Sequence, residues 1–96
     1  MIVHIALFKW KSNVSPKDIE QILADVRLLK SKVEGIIEIH CGENFSKWNE
    51  GFTHAFVIFA KDRIALESYR NHPDHKDVAN RIEKIEGKSI GLDFES

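Results

Sequence analysis

Cysteine is nearly absent from this chain, since Cys41 is its only thiol. A single cysteine cannot form an internal disulfide, so burial and hydrogen bonding alone must hold the fold together. The first residues, Met1 to His4, carry no basic leader of the kind that opens a secretory signal. We therefore expect a reducing, cytoplasmic setting, in which Cys41 is a small packing residue rather than a nucleophile.

Neither a surplus of charge nor a long apolar run is present. The 14 basic side chains are matched by 15 acidic ones, which leaves a net charge of −1 with neutral histidines. That balance gives no electrostatic footprint for nucleic acid or an anionic membrane surface. No apolar stretch approaches the roughly 20 residues needed to span a bilayer. The length predicts a single domain, residues 1–96, with a modest core.

Four segments have the composition of β-strands, and two of them are apolar on both faces. Met1–Trp10 and Phe52–Ala60 are rich in β-branched and aromatic residues, and each contains one histidine, His4 or His54. If these two histidines face the same side of a sheet, they can come close together. The other two strands are predicted at Ile36–Cys41 and Lys88–Phe94.

Helical signals separate the strands. Ser15 is a good N-cap and Pro16 suits a first helical position, so a helix is predicted from there to about Gly35. A second helical region falls into two pieces, Arg63–Arg70 and Pro73–Ile85, because proline disfavours helical geometry in the residue before it.

The resulting order, β-α-β-β-α-β, is that of a ferredoxin-like α+β fold with a four-stranded antiparallel sheet and both helices on one face. The other face stays uncovered, and it carries either Val3, Ile5, Leu7, Ala55, Val57 and Phe59 or the residues that alternate with them. An apolar patch of several hundred Å² is usually covered by another protein surface. We therefore predict a homodimer through this sheet face, in which the two sheets form a dimeric α+β barrel.

The segment from Tyr69 to His75 is the most informative part of the chain, since it reads Tyr-x-x-His-Pro-x-His. It concentrates one phenol and two imidazoles, groups that often transfer protons in active sites. Helical spacing places His75 on the apolar side of its helix, three residues before Val78. The same run also has an explanation without function, as a helix end followed by a helix that begins at a proline.

In this context the chain resembles the stress-responsive A/B barrel domain family, one of the dimeric α+β barrel families. The stretches that carry the resemblance occur in the same order along most of the chain: Val3-His4-Ile5, Phe8-Lys9-Trp10, Gly35-Ile36, Gly42-Glu43-Asn44-Phe45-Ser46, Gly51-Phe52-Thr53-His54-Ala55-Phe56 and Leu66 to His75. Many members have no assigned activity, and plant members are linked to stress or defence. A more distant resemblance is to olivetolic acid cyclase of this family, which closes a polyketide chain by an aldol condensation without a cofactor.

The resemblance to that enzyme implies a pocket between sheet and helices in which Tyr69 and His75 are the catalytic residues. The pocket would bind a small organic molecule of carbonyl or polyketide type, through His4, His54, His72, Phe8 and Phe56. A neutral His75 would remove a proton next to a carbonyl, while the Tyr69 hydroxyl donates to the developing enolate oxygen. Such an enzyme would be a cyclase, isomerase or lyase that needs no cofactor.

Other interpretations stay open. In a non-enzymatic one, the histidines and Tyr69 are the polar core of a structural or stress-related assembly protein, and the loop aromatics Phe45 and Trp48 bind its partners. A zinc site is less favoured, because a proline separates His72 from His75 and no cysteine lies nearby, so no metal is expected. An RNA-binding sheet is disfavoured by the charge balance.

Overall fold

A computed structural model describes the whole chain, Met1–Ser96, and confirms the predicted order of elements and the fold class. In chain order the elements are β1 (Ile2–Trp10), α1 (Pro16–Lys32), β2 (Ile36–Glu43), β3 (His54–Ala60), α2 (Arg63–Asn71), α3 (Pro73–Ile85) and β4 (Glu86–Glu95). The sheet has the order β2-β3-β1-β4, and every neighbouring pair is antiparallel. No helix is both long enough and apolar enough to cross a membrane.

The helix starts follow the capping signals of the sequence. The Ser15 hydroxyl accepts from the Lys17 backbone N–H at 3.1 Å, and the Asp62 carboxylate accepts from the Ala65 N–H at 2.8 Å. These contacts satisfy backbone donors that lack a partner in the first turn of a helix. The last strand starts two residues earlier than predicted, because the end of β1 pairs with Glu86 directly after α3.

One side of the sheet, called here the inner face, packs against the helices. Its buried residues form one apolar cluster with α1 and α2, in which Leu29 and Ile58 are each only 1% exposed. Helix α2 approaches the end of α1 closely at Gly35, where an added Cβ would lie 2.6 Å from the Ala65 Cβ. Gly35 also has a φ of +87°, a region that only glycine adopts without cost, so both space and backbone require glycine there.

The opposite side, called here the outer face, is apolar and uncovered by the chain. The strand register places nine apolar side chains on it: Val3, Ile5 and Leu7 of β1, Ala55, Val57 and Phe59 of β3, and Ile90, Leu92 and Phe94 of β4. The three side chains of β4 are 43–48% exposed. The edge strand β2 adds polar groups, since His40 pairs in register with Val57 and contacts Glu38 at 3.0 Å.

Candidate functional site

Tyr69 and His75 meet where α2 gives way to α3. Tyr69 lies in the last turn of α2 and His75 in the first turn of α3, and their ring centroids are 4.4 Å apart at an interplanar angle of 53°. The helices separate at His72, whose backbone is extended (φ −65°, ψ 135°) ahead of Pro73. The predicted break in the helix therefore brings the two predicted catalytic side chains into contact.

His75 is held in one tautomer by the backbone. Its Nδ1 lies 3.1 Å from the carbonyl oxygen of Arg70, which can only accept, so Nδ1 carries the proton and Nε2 keeps its lone pair. Burial lowers the pKa of His75, and although the carbonyl bond opposes this, the charges of His4 and Arg70 add to the lowering. The ring is therefore neutral at neutral pH, with a free basic nitrogen. The backbone carbonyl of Arg70 thus sets the orientation of the His75 ring.

The Tyr69 hydroxyl has no hydrogen-bond partner in the protein, although the residue is only 3% exposed. The hydroxyl oxygen is also not one of the fully enclosed, unpartnered polar atoms, so it keeps a small exposed surface. Burial raises the pKa of Tyr69 far above its ordinary value, the nearby Cys41 thiol adds to the rise, and Arg70 opposes it. The phenol therefore keeps its proton and is available as a donor.

His4 lies beside this pair in an ionic network that sequence reasoning did not identify. Its Nδ1 is 2.5 Å from one Asp93 carboxylate oxygen, and the Arg70 guanidinium is 2.5 Å from the other. Partial burial alone would raise the pKa of Asp93, but the hydrogen bonds from Arg70 and His4 outweigh it and hold the pKa below its usual value. The only signal in the sequence was a carboxylate in an alternating strand, and the β1–β4 register was needed to pair it with His4.

Open space adjoins the network on two sides. A groove of about 430 Å³ is lined by Arg70 and Asp93 together with Ile2, Arg63, Leu66, Glu67, Phe94 and Glu95, although Tyr69 and His75 do not line it. On the inner face of β4, Gly91 pairs in register with Ala6. A Cβ placed on Gly91 would meet only the Ile5 carbonyl oxygen, at 3.9 Å. Small residues therefore leave room two positions along the strands from His4 and Asp93.

His54 belongs to a separate, filled region of the inner face. It shares that face with His4, but His4 pairs with Ile58 whereas His54 pairs with Phe8, so about four residues, or roughly 13 Å, separate them along the strands. The expectation that the two histidines come close together is therefore wrong. The Trp10 indole N–H donates to His54 Nδ1 at 2.9 Å, and burial lowers the pKa of His54.

The predicted binding residues Phe8 and Phe56 lie in this same filled region. Phe8 is 7% exposed and Phe56 4%, with ring centroids 4.9 Å apart, and Phe8 also stacks on Trp10 at 5.2 Å. Both belong to the apolar core cluster. The structure therefore brings these two side chains together with His54 and not with Tyr69 and His75.

His72 has a local structural contact. Its Nδ1 accepts from the Asp74 backbone N–H at 3.1 Å, which makes His72 the N-cap of α3. Burial raises the pKa of Cys41, and its thiol faces the Leu23 carbonyl oxygen at 3.6 Å, in keeping with a packing role. No group of three histidine, cysteine or acidic side chains has a geometry that could hold a metal ion.

Known proteins resemble the chain over nearly its whole length. A protein of Arabidopsis thaliana, stress-response A/B barrel domain-containing protein HS1, is 30% identical over 95 residues, which are 97% of this chain and 87% of the relative. A dimeric ferredoxin-like protein of unknown function from Thermobifida fusca superimposes with a TM-score of 0.88 at 23% identity, covering 99% of this chain and 90% of that one. A hydroxynitrile lyase from Passiflora edulis has a TM-score of 0.89 at 24% identity, covering 97% and 90%.

The family profile described as Stress responsive A/B Barrel Domain matches residues 2–96. The match includes all four strands and all three helices described above, and with them both histidine regions. The chain therefore belongs to the stress-responsive A/B barrel domain family, as the sequence motifs predicted.

Proposed function

We propose that this protein binds a small organic carbonyl compound beside Tyr69 and His75 and moves a proton on it without a cofactor. The observation that carries the proposal is the Tyr69 hydroxyl, which hydrogen-bonds no protein group and is not fully enclosed, although its residue is only 3% exposed. Polar groups in such sheltered positions usually have a partner, so a free donor on a ring that contacts His75 favours a ligand there. A purely structural polar core would have paired this hydroxyl with a strand histidine.

The chemistry follows from the two neighbouring groups. His75 Nε2 accepts a proton from the carbon next to the carbonyl, and the electron pair of the broken C–H bond forms an enolate. The Tyr69 O–H donates a hydrogen bond to the enolate oxygen, where negative charge develops. The enolate then takes the proton back from His75 at another position, as in an isomerase. Alternatively, it attacks a second carbonyl carbon, and the oxygen of that carbonyl takes the proton from His75, as in a cyclase. The reverse of this attack breaks the C–C bond, as in a lyase. General acid–base catalysis of this kind typically contributes about 10²–10⁴ in rate.

Among the predicted binding residues, His4 lies nearest this chemistry. Its bond to Asp93 holds the ring two strand positions from Gly91 and Ala6, whose small size leaves the room that this proposal assigns to the ligand. His54, Phe8 and Phe56 act in this proposal as the aromatic wall at the far end of the inner face. His72 acts through the cap that starts α3, and so sets the position of His75.

We further propose that the protein works as a homodimer through its outer face, in the cytoplasm. Of the nine apolar side chains on this face only Val3 is buried within one chain, so the other eight would otherwise keep contact with water, and a second copy offers a matching apolar surface. The dimeric Thermobifida fusca protein of the same fold supports this arrangement. The single, partly buried cysteine suits a reducing compartment.

A non-enzymatic assembly role is the alternative. It is favoured by the loop aromatics Phe45 and Trp48, which are 98% and 79% exposed. Under this alternative the protein would be dimeric but would catalyse no proton transfer.

Proton exchange into a simple ketone distinguishes the two. Cyclohexanone and 2,4-pentanedione are incubated in D₂O with the protein, and loss of the α-proton signal is followed by NMR. We expect Tyr69→Phe and His75→Asn to lower the protein-dependent rate by about 100-fold or more. Ser68→Ala, an exposed neighbour on α2, is the matched control. Equal rates in all four proteins would refute the proposal, and native mass spectrometry of the same samples would show dimer mass and any retained organic molecule.

A further inference from the structure

The loop between β2 and β3 holds the most exposed aromatic side chains of the molecule. Phe45 is 98% exposed and Trp48 79%, with the Lys47 ammonium 4.5 Å above the indole ring. A phenylalanine in water forgoes the stabilisation that burial of its large apolar surface would provide. The catalytic proposal does not use this loop.

The loop is nevertheless built to hold one shape. Side-chain oxygens of Asn44, Ser46 and Asn49 each accept from the backbone N–H two residues further on, at 3.0, 3.1 and 2.7 Å. The Asn44 side chain also donates to the Phe52 carbonyl oxygen at 2.9 Å, and its backbone N–H donates to Thr53 at 2.7 Å. Phe45 is therefore presented on an ordered scaffold, which lowers the entropy lost when it binds.

Phe45 also borders the outer face. It lines a groove of about 490 Å³ together with Asn44 and Ser46 of the loop, the end of β2 from His40 to Glu43, and Leu7, Ala55 and Val57 of that face. Any surface that covers the outer face must therefore meet Phe45 at its rim. The occupant that fits is a second copy of this chain, since it is equally apolar and carries a net charge of only −1.

We propose that Phe45 is a dimer anchor: in the homodimer each Asn44–Gly51 loop packs Phe45 against the outer face of the partner. This rests on the homodimer proposed above, and adds the residue that secures it. A buried aromatic side chain contributes about 150–250 Å², so two copies supply about 300–500 Å² of a typical interface of about 1,600 Å². Because the dimer is two-fold symmetric, each substitution removes two equivalent contacts from the interface.

Sedimentation of the full chain tests the anchor. Phe45→Ser is expected to raise the dimer dissociation constant by about 100-fold or more, because two aromatic anchors are lost together. Ile64→Ser is the matched control, since Ile64 is 78% exposed but lies on α2, away from the outer face. An unchanged dissociation constant for Phe45→Ser would refute the role of Phe45 as an anchor but not the homodimer. A wild-type protein that stays monomeric at high concentration would refute both.

Photo-crosslinking identifies what Phe45 touches. With p-benzoylphenylalanine in place of Phe45, irradiation is expected to yield a covalent dimer, with the bridge on peptides of β1, β3 or β4 of the partner. Bridges within one chain, or to the helix layer of the partner, would overturn the proposal. Because position 45 is 98% exposed, we expect the variants to fold, and the thermal unfolding midpoint of each variant checks this directly.

Discussion

His54 and His75 are both shielded histidines beside an aromatic ring, but their first hydrogen bonds run in opposite directions. His54 Nδ1 accepts from the Trp10 indole, so its remaining nitrogen, Nε2, carries a proton. His75 Nδ1 donates to the Arg70 carbonyl oxygen, so its Nε2 is left with a lone pair. One histidine can therefore only donate from its second nitrogen, whereas the other can act as a base.

The hydrogen-bond partner of one ring nitrogen thus decides whether the second nitrogen of the same ring is a donor or a base. Burial lowers the pKa of both rings, so burial alone does not distinguish them. The surroundings also differ, since aromatic rings fill the space around His54 whereas the unpartnered Tyr69 hydroxyl lies beside His75. We therefore propose a structural role for His54 and the proton-transfer role for His75.

The largest expected effects come from substituting each histidine in turn, because one substitution should mainly lower the exchange rate and the other mainly the stability. His75→Gln should lower α-proton exchange by about 100-fold or more while changing the free energy of unfolding by about 1 kcal/mol or less. His54→Phe should leave exchange within about tenfold but destabilise by about 1–3 kcal/mol, because the Trp10 donor loses its acceptor.

The control for His54→Phe is His54→Asn, whose amide oxygen can replace the lost acceptor and should recover part of the stability. Exchange rates and urea unfolding of the same preparations supply both quantities. A large loss of exchange in His54→Phe, at intact stability, would show that the division between the regions is wrong.

The pH dependence of stability and of the exchange rate should also distinguish the His54 region from the His75 region. Because the folded-state pKa of each ring is lowered, the unfolded chain binds more protons than the folded one between that pKa and the unfolded value near 6.5. The contribution of the two neutral rings to the free energy of unfolding should thus be complete above about pH 6.5 and decrease as the pH falls toward the folded pKa values. Urea titrations from pH 7.5 to 5 check this, and His54→Asn should flatten the dependence.

The exchange rate should follow His75 alone. It should fall with a midpoint below pH 6.5, as Nε2 becomes protonated, and His54→Asn should leave that midpoint in place. A midpoint that moved with His54 would contradict the assignment of the base.

The smallest expected difference is in the tautomers of the two imidazole rings, and it can be measured without a substitution. Nitrogen-15 chemical shifts distinguish the two neutral tautomers of an imidazole, and we expect the Nε2–H form for His54 and the Nδ1–H form for His75. The same tautomer in both rings would remove the basis of the comparison.

Much of the fold could be predicted from the sequence, because it depends on local signals. The two-sided apolar strands, the cap at Ser15 and the break at Pro73 each depend on residues close in the chain. The Tyr69–His75 contact followed for the same reason, since the two residues flank that break.

Pairings across the sheet could not be predicted in this way. The bonds of Asp93 to His4 and of Trp10 to His54 join residues 89 and 44 positions apart. They depend on strand register, and shifting a strand by one residue would reverse which face each side chain occupies. Spacing therefore grouped His54, Phe8 and Phe56 with Tyr69 and His75, whereas Phe8 and Phe56 lie in the apolar core cluster and His54 lies beside Trp10.

The close approach of Gly35 to Ala65 has a consequence for how this protein can vary. Ala65 precedes Tyr69 by one helical turn, so the depth at which α2 rests on Gly35 sets the depth of the phenol. A single methyl group at position 35 would lift the helix and tilt the proton donor without touching any group that contacts a ligand. Under the proposed function, Gly35 would therefore set the position of the proton donor from a distance, and substitutions confined to the surroundings of Tyr69 and His75 would leave this position out.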